Sequence, residues 1–185
     1  WVDDAVRLKA AAVGMTIYPG SSYAHEMYQR ARELVADARK AGLIVVIWAY
    51  PRGSGLPSNE AETALDVVSY GVHIACQLGA HIVKCKPTKN LIAMEDTIKR
   101  KVYNGLPIET LADRTKLVIQ SAFGGRRIVI FSGGEGGRDL IDLLAEVRQL
   151  KAGGSFGSIV GRNAFQRSEK EALALFKQIQ DIYES

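Results

Sequence analysis

The sequence of 185 residues predicts an α/β fold, a (β/α)8 barrel of which the chain covers roughly the last five βα units. Short β-branched apolar runs alternate with longer segments whose apolar residues recur at helical spacing, and this alternation repeats five times. Polar or cationic side chains follow four of the five runs. Barrel enzymes collect their functional residues at these strand ends, so this second observation favours a barrel.

The predicted elements follow one another without a linker or a repeat. Strands are predicted at 13–18, 43–50, 81–86, 127–132 and 156–160. Helices are predicted at 22–41, 60–78, 108–123, 140–152 and 168–182. The polar stretch between the third strand and the following helix is longer than a usual βα loop, and such length is often functional. Alternation of this kind gives parallel strands joined by right-handed crossovers.

An open doubly wound sheet would also show this alternation. The barrel is favoured because the candidate chemistry falls at the ends of successive strands. A complete barrel takes about 250 residues, so residues 1–185 are interpreted as the C-terminal part of a single barrel. Because the chain begins with Trp1 rather than Met, its true start is expected to be missing.

Composition narrows the functional classes. The chain is 47% hydrophobic and 24% charged, which argues against disorder and against a disulfide scaffold. No signal peptide or membrane-length apolar run is recognisable, so a cytoplasmic protein without a membrane partner is expected. Cys76 and Cys85 are predicted to be buried thiols rather than metal ligands. The net charge is +4, and the basic residues are scattered among acidic ones without forming a stripe. This distribution favours a phosphorylated small molecule over nucleic acid as the partner.

Two loops are predicted to form one phosphate site. Ser132, Gly133 and Gly134 follow a strand and precede a helix, where backbone amides can approach an anion. Gly161 and Arg162 follow the next strand, and arginine supplies a bidentate phosphate fork. A flexible turn and a surface arginine are the simpler interpretations of each loop alone. The spacing matches neither a P-loop nor a dinucleotide fingerprint, so no nucleotide is predicted.

Two lysines on one strand suggest a nucleophile. Lys84 and Lys86 are two residues apart and share a face, where burial of an ammonium is costly. Desolvation lowers a lysine pKa and frees the amine to attack carbonyls. Lys86, nearer the mouth, is predicted to keep its charge, to lower the pKa of Lys84 further and to help hold a substrate phosphate. Trp48 and Tyr50 share a face of the preceding strand, where the phenol could shuttle protons, and Arg52 beyond them could meet a second phosphate. The alternatives are solvent-end lysines and simple aromatic packing.

The histidines and several acidic residues are assigned no functional role. The histidines are interpreted as surface or helix residues, and four acidic residues on predicted helices are expected to be solvated. The acidic residues are Glu26, Glu60, Glu62 and Asp66.

The segments VGMTIYPGS, VVIWAYPRG, GAHIVKCK, FSGGEGG and GSIVGRNAFQR resemble, in order, the archaeal-type class I fructose-bisphosphate aldolases, which also occur in bacteria. The resemblance runs over essentially the whole chain. It implies a (β/α)8 barrel that cleaves fructose 1,6-bisphosphate to dihydroxyacetone phosphate and glyceraldehyde 3-phosphate, with no metal and no cofactor. It also implies a homo-oligomer.

By the same resemblance, Lys84 matches the Schiff-base lysine, Tyr50 the acid/base tyrosine and Trp48 the tryptophan beside it. The positions that match the family's phosphate-binding loops are Ser132, Gly133, Gly134, Gly161 and Arg162. The insertion after Lys86 resembles the bacterial branch. The family places an aspartate at the end of the first barrel strand, a segment absent here, so this stretch alone is expected to be inactive.

Three alternatives remain at this stage. A related Schiff-base barrel, either a thiolase-like acyl transferase or an aldolase for another phosphorylated sugar, would share the lysine and phosphate sites. A metal-free phosphosugar isomerase or synthase would form no lysine adduct. A non-catalytic binding protein would leave the inward lysines and Tyr50 without a role.

Overall fold

Five parallel strands form a single sheet in the computed structural model, which describes residues 1–133 and 139–185. The strands are β1 (Ala12–Ile17), β2 (Ile44–Ala49), β3 (Ile82–Cys85), β4 (Ile128–Ser132) and β5 (Gly157–Ile159). Each strand pairs with the next along the chain, in the order β1-β2-β3-β4-β5. The order never reverses, which excludes the doubly wound sheet and confirms the barrel type of winding.

Helices connect the strands. They are α1 (Val2–Arg7), α2 (Ala24–Lys40), α3 (Leu65–Leu78), α4 (Glu95–Lys99), α5 (Leu111–Ser121), α6 (Leu140–Ala152), α7 (Arg162–Phe165) and α8 (Glu169–Glu184). A 3₁₀ helix, η1, spans Asn59–Thr63. The single helix predicted over 60–78 is therefore two elements, because Ala64 between them is extended with φ −64° and ψ 145°. The short helices α1, α4 and α7 were not predicted, since so few residues show no periodicity.

The main core lies between one face of the sheet and the helices. Ile47, Val83 and Phe131 project from that face and are fully buried among side chains of α2, α3 and α5. Cys76 and Cys85 belong to the same core as free thiols, as predicted. Because side chains alternate along a strand, the residues directly before and after each of these three positions project from the opposite face of the sheet. Trp48, Lys84 and Ile130 lie in register on that opposite face.

Side chains and backbone turns fix the ends of the helices. The Thr110 hydroxyl accepts a hydrogen bond from the Asp113 amide and begins α5. Ser168 and Glu171 form a reciprocal capping box that begins α8. Gly79 ends α3 with φ +108°, a left-handed conformation that glycine adopts without strain. Within the described residues, no helix has the length and apolar character needed to cross a membrane.

Arg114 anchors the long segment between β3 and α5. Its guanidinium, on a residue only 8% exposed, donates to the carbonyls of Thr88 (3.2 Å), Ile108 (2.7 Å) and Glu109 (2.8 Å). One buried cation thus holds both ends of the segment against α5. This arrangement keeps the residues that follow β3 beside the ends of the strands.

Substitution Arg114→Met should lower the free energy of unfolding by at least about 2 kcal/mol. The reason is that the buried Thr88 carbonyl would lose its donor, at a cost of roughly 1–3 kcal/mol, and that the partly buried hydrogen bonds to Ile108 and Glu109 would be lost as well. Urea denaturation measures the change. Lys116→Met on the same helix, at a side chain 63% exposed, is the matched control and should shift stability by less than about 0.5 kcal/mol. Equal losses in the two variants would show that the carbonyl contacts do not stabilise the fold.

Candidate active site

A cavity of about 960 Å³ opens at the carboxyl ends of β2, β3, β4 and β5. Parallel strands end at the same edge of a sheet, so residues distant in sequence meet there. The predicted site residues that line the cavity are Tyr50, Arg52, Lys84, Lys86, Ser132, Gly133, Gly161 and Arg162. The predicted phosphate residue Gly134 lies outside the described residues.

Lys84 projects into this cavity from β3. Its neighbours Val83 and Cys85 are fully buried in the helix-facing core, which directs the lysine to the opposite face. Burial lowers the pKa of the Lys84 amine below its ordinary value, because a desolvated site disfavours the charged form. The additional lowering that was predicted from Lys86 is not found, and the Lys86 ammonium lies 2.8 Å from the Glu62 carboxylate.

Tyr50 lies against the lysine. The Lys84 Nζ is 5.8 Å from the centroid of the Tyr50 ring. Burial raises the pKa of the Tyr50 phenol, the neighbouring Cys85 raises it further, and a hydrogen bond with the Ser132 side chain acts in the opposite direction. A phenol with a raised pKa stays protonated beside an amine with a lowered pKa. The pair therefore combines a nucleophile with a proton donor.

Trp48 is in register with Lys84 but does not line the cavity among the described residues. Its indole lies over Gly14 on β1, where it leaves no room for a side chain. The structure therefore places Trp48 beside the lysine and toward β1, while Tyr50 is the aromatic residue within the cavity.

The two predicted phosphate loops lie side by side. The Gly133 amide donates to the Ile159 carbonyl at 2.9 Å, and the Asn163 side chain donates to the Gly133 carbonyl at 2.9 Å. A side chain at Gly133 would come within 2.9 Å of Val160, so close packing requires glycine there. Because its N–H is engaged, Gly133 shapes the loop and does not donate to an anion. Asn163, only 3% exposed, received no role from the sequence.

Two acidic residues were wrongly expected to be solvated. The Glu62 side chain is 20% exposed and bridges Lys86 and Arg52, at 2.8 Å and 3.4 Å. Asp66 is 6% exposed and accepts the amides of Ala93 (3.1 Å) and Met94 (2.8 Å). The sequence contained one indirect indication of a buried acidic partner such as Glu62. Two cations near the ends of neighbouring strands are costly to bury unless a negative charge pairs with them.

Within residues 1–133 and 139–185, no group of three His, Cys, Asp or Glu side chains is placed to hold a metal ion.

Comparisons with known proteins point to one family. Residues 1–167 match the family model described as DeoC/LacD family aldolase. The chain is 34% identical over 195 residues to a probable fructose-bisphosphate aldolase class 1 of Chlamydia trachomatis, covering 98% of this chain and 54% of that protein. It is 33% identical to a fructose-bisphosphate aldolase class 1 of Thermoproteus tenax, covering 98% of this chain and 58% of that protein.

A solved structure has the same fold. It is an archaeal fructose-1,6-bisphosphate aldolase whose catalytic lysine is covalently bound to the carbinolamine intermediate of its substrate. The TM-score is 0.77 at 32% identity, with 96% of this chain and 61% of that chain covered. The chain thus spans little more than half the length of the curated relatives it matches.

Cyanate labelling should detect the lowered pKa of Lys84, because only the neutral amine reacts. In the folded protein, labelling of Lys84 should rise with pH at a lower pH than in the same protein unfolded by guanidinium. The folded site disfavours the ammonium, whereas the unfolded chain does not. Peptide mass spectrometry measures both profiles. Coincident profiles, or a folded profile displaced to higher pH, would contradict the assignment.

Proposed function

The chain belongs to the DeoC/LacD aldolase family, and from this membership we propose that it carries the Schiff-base lysine and the phosphate loops of a class I fructose-bisphosphate aldolase. The observation that carries the proposal is the environment of Lys84. Its amine has a lowered pKa and lies near the ring of Tyr50. The side chain of Lys84 lines a cavity that is bounded by the loops after β4 and β5. The substrate is a phosphorylated sugar.

The lysine performs the covalent chemistry in this proposal. Its neutral amine attacks the C2 carbonyl of the ketose and forms a carbinolamine, which loses water to give an iminium. A base removes the proton of the C4 hydroxyl, the C4 carbonyl forms as the C3–C4 bond breaks, the iminium accepts the released electron pair, and glyceraldehyde 3-phosphate leaves. The resulting enamine is reprotonated, and water hydrolyses the imine to release dihydroxyacetone phosphate and the free amine.

Tyr50 moves protons at the amine. Carbinolamine dehydration requires a proton on the departing hydroxyl group, and a phenol held protonated near Lys84 can supply it. The Ser132 side chain interacts with the phenol and opposes the rise of its pKa.

The loops after β4 and β5 hold the substrate in place. A side chain at Gly161 would meet no atom of residues 1–133 or 139–185 within 4 Å, so on that side this backbone is open to an approaching phosphate. Arg162 supplies the charge and the planar fork that match phosphate geometry. Binding energy gained there positions the carbonyl carbon against the amine of Lys84.

The remaining barrel units belong to the same proposal. The chain supplies five strands and spans 54% of the Chlamydia relative, so we propose that it forms the C-terminal part of the barrel. The other units would carry the catalytic aspartate that the family resemblance implies. Family resemblance also supports a cytoplasmic homo-oligomer.

Borohydride trapping tests the function. The native protein, incubated with dihydroxyacetone phosphate and sodium borohydride, should acquire one covalent adduct on Lys84, because the reagent reduces an imine to a stable amine. Peptide mapping locates the adduct. Lys84→Met should abolish trapping but retain phosphate binding, while Lys116→Met, at a position of α5 that does not line the cavity, should trap as wild type. An adduct on Lys86, or full activity in Lys84→Met, would overturn the assignment.

Substitution Arg162→Ala should weaken binding of dihydroxyacetone phosphate about tenfold. A charge-assisted hydrogen bond is worth roughly 1.5–3 kcal/mol, and the exposure of Arg162 favours the lower end of that range. Calorimetry in the Lys84→Met background measures binding without imine formation. Arg126→Ala, at the other end of β4, is the control and should leave the affinity unchanged. Equal affinities for the two variants would exclude Arg162 from the phosphate site.

A further inference from the structure

Two cations at the mouth of the cavity are bound to one carboxylate. The Glu62 Oε2 lies 2.8 Å from the Lys86 Nζ, and its Oε1 lies 3.4 Å from the Arg52 Nε. The carboxylate therefore divides its two oxygens between cations that follow different strands, Arg52 after β2 and Lys86 after β3. All three side chains line the same cavity as Lys84.

The support of this carboxylate is built into the fold. Glu62 lies on η1, whose first turn is capped by the side chain of Ser58. On either side of Glu62, Ala61 and Ala64 are fully buried in a small apolar cluster. The carbonyl of Thr63 accepts the Lys89 amide at 2.8 Å, which ties η1 to the segment after β3. The position of Glu62 is therefore set by packing on both sides.

Charge determines what this cluster can accept. Arg52 and Lys86 together carry two positive charges, and Glu62 reduces their sum to one. A carboxylate and a phosphate use the same donors, namely the guanidinium fork and the ammonium. A phosphate dianion carries more charge and more acceptor oxygens than Glu62, so it can compete for both cations. A neutral hydroxyl group has neither advantage.

We propose that Glu62 determines specificity at this end of the site by acting as an internal competitor for the second phosphate of a bisphosphate substrate. In the free protein the carboxylate holds Arg52 and Lys86. A second phosphate draws the two cations away from Glu62, whereas a monophosphate ending in a hydroxyl leaves the three side chains paired. Glu62 thus limits the affinity gained from the second phosphate. This inference rests on the proposed function and assigns Glu62 a role in it.

The test compares two ligands that cannot form an imine because they lack a carbonyl group, hexitol 1,6-bisphosphate and hexitol 1-phosphate. Glu62→Gln removes the competing charge but keeps an amide oxygen that can accept hydrogen bonds. Calorimetry should show the bisphosphate bound about two- to fivefold more tightly by the variant, the size expected for a partly exposed ion pair. The affinity for the monophosphate should stay unchanged.

Glu60→Gln is the matched control, since Glu60 lies on the same 3₁₀ helix with an exposed side chain. It should change neither affinity. Unchanged or weaker bisphosphate binding by Glu62→Gln would overturn the inference, because Glu62 would then only orient the cations. Equal changes for both ligands would overturn it as well. In those cases binding by the wild type and trapping on Lys84 would still stand. Failure of the wild type to bind either ligand would instead remove the proposed function and the inference with it.

Discussion

The direction in which Lys84 projects depends on the packing of the two residues beside it on β3. On β3, Val83 and Cys85 are fully buried against the helices, so Lys84 between them must project from the other face. A slip of one residue would place the ammonium in the helix-facing core and two apolar side chains in the cavity. The core that stabilises the sheet therefore also fixes the orientation of the amine.

Neighbouring strands then supply the partners of that amine. Because the sheet is wound in one direction, β2 brings Tyr50 to one side of Lys84, and β4 brings Ser132 to the other. The partners need no shared sequence motif, since parallel strands end at one edge. The lowered pKa of Lys84 follows from burial on this framework, so this property of the amine is a consequence of packing.

The fold and most of the cavity could be predicted from the sequence because strand periodicity and strand-end chemistry are local signals. The roles of Glu62 and Asp66 could not, because both depend on contacts with residues 24 to 28 positions away along the chain. Both residues fall on a predicted helix, and acidic side chains on a helix are usually solvated, so burial was not expected for either. The break at Ala64 was also missed, since alanine favours helix and the extended conformation there accompanies a parallel bridge between Ala64 and Lys89, a contact distant in sequence.

The contact between Gly14 and Trp48 couples two positions on different strands. Any side chain at position 14 would collide with the indole, so enlarging that residue requires a smaller residue at position 48. Trp48 is also the register neighbour of Lys84. A residue of β1 is therefore tied to the one beside the amine, because position 14 can be enlarged only once position 48 holds a smaller side chain.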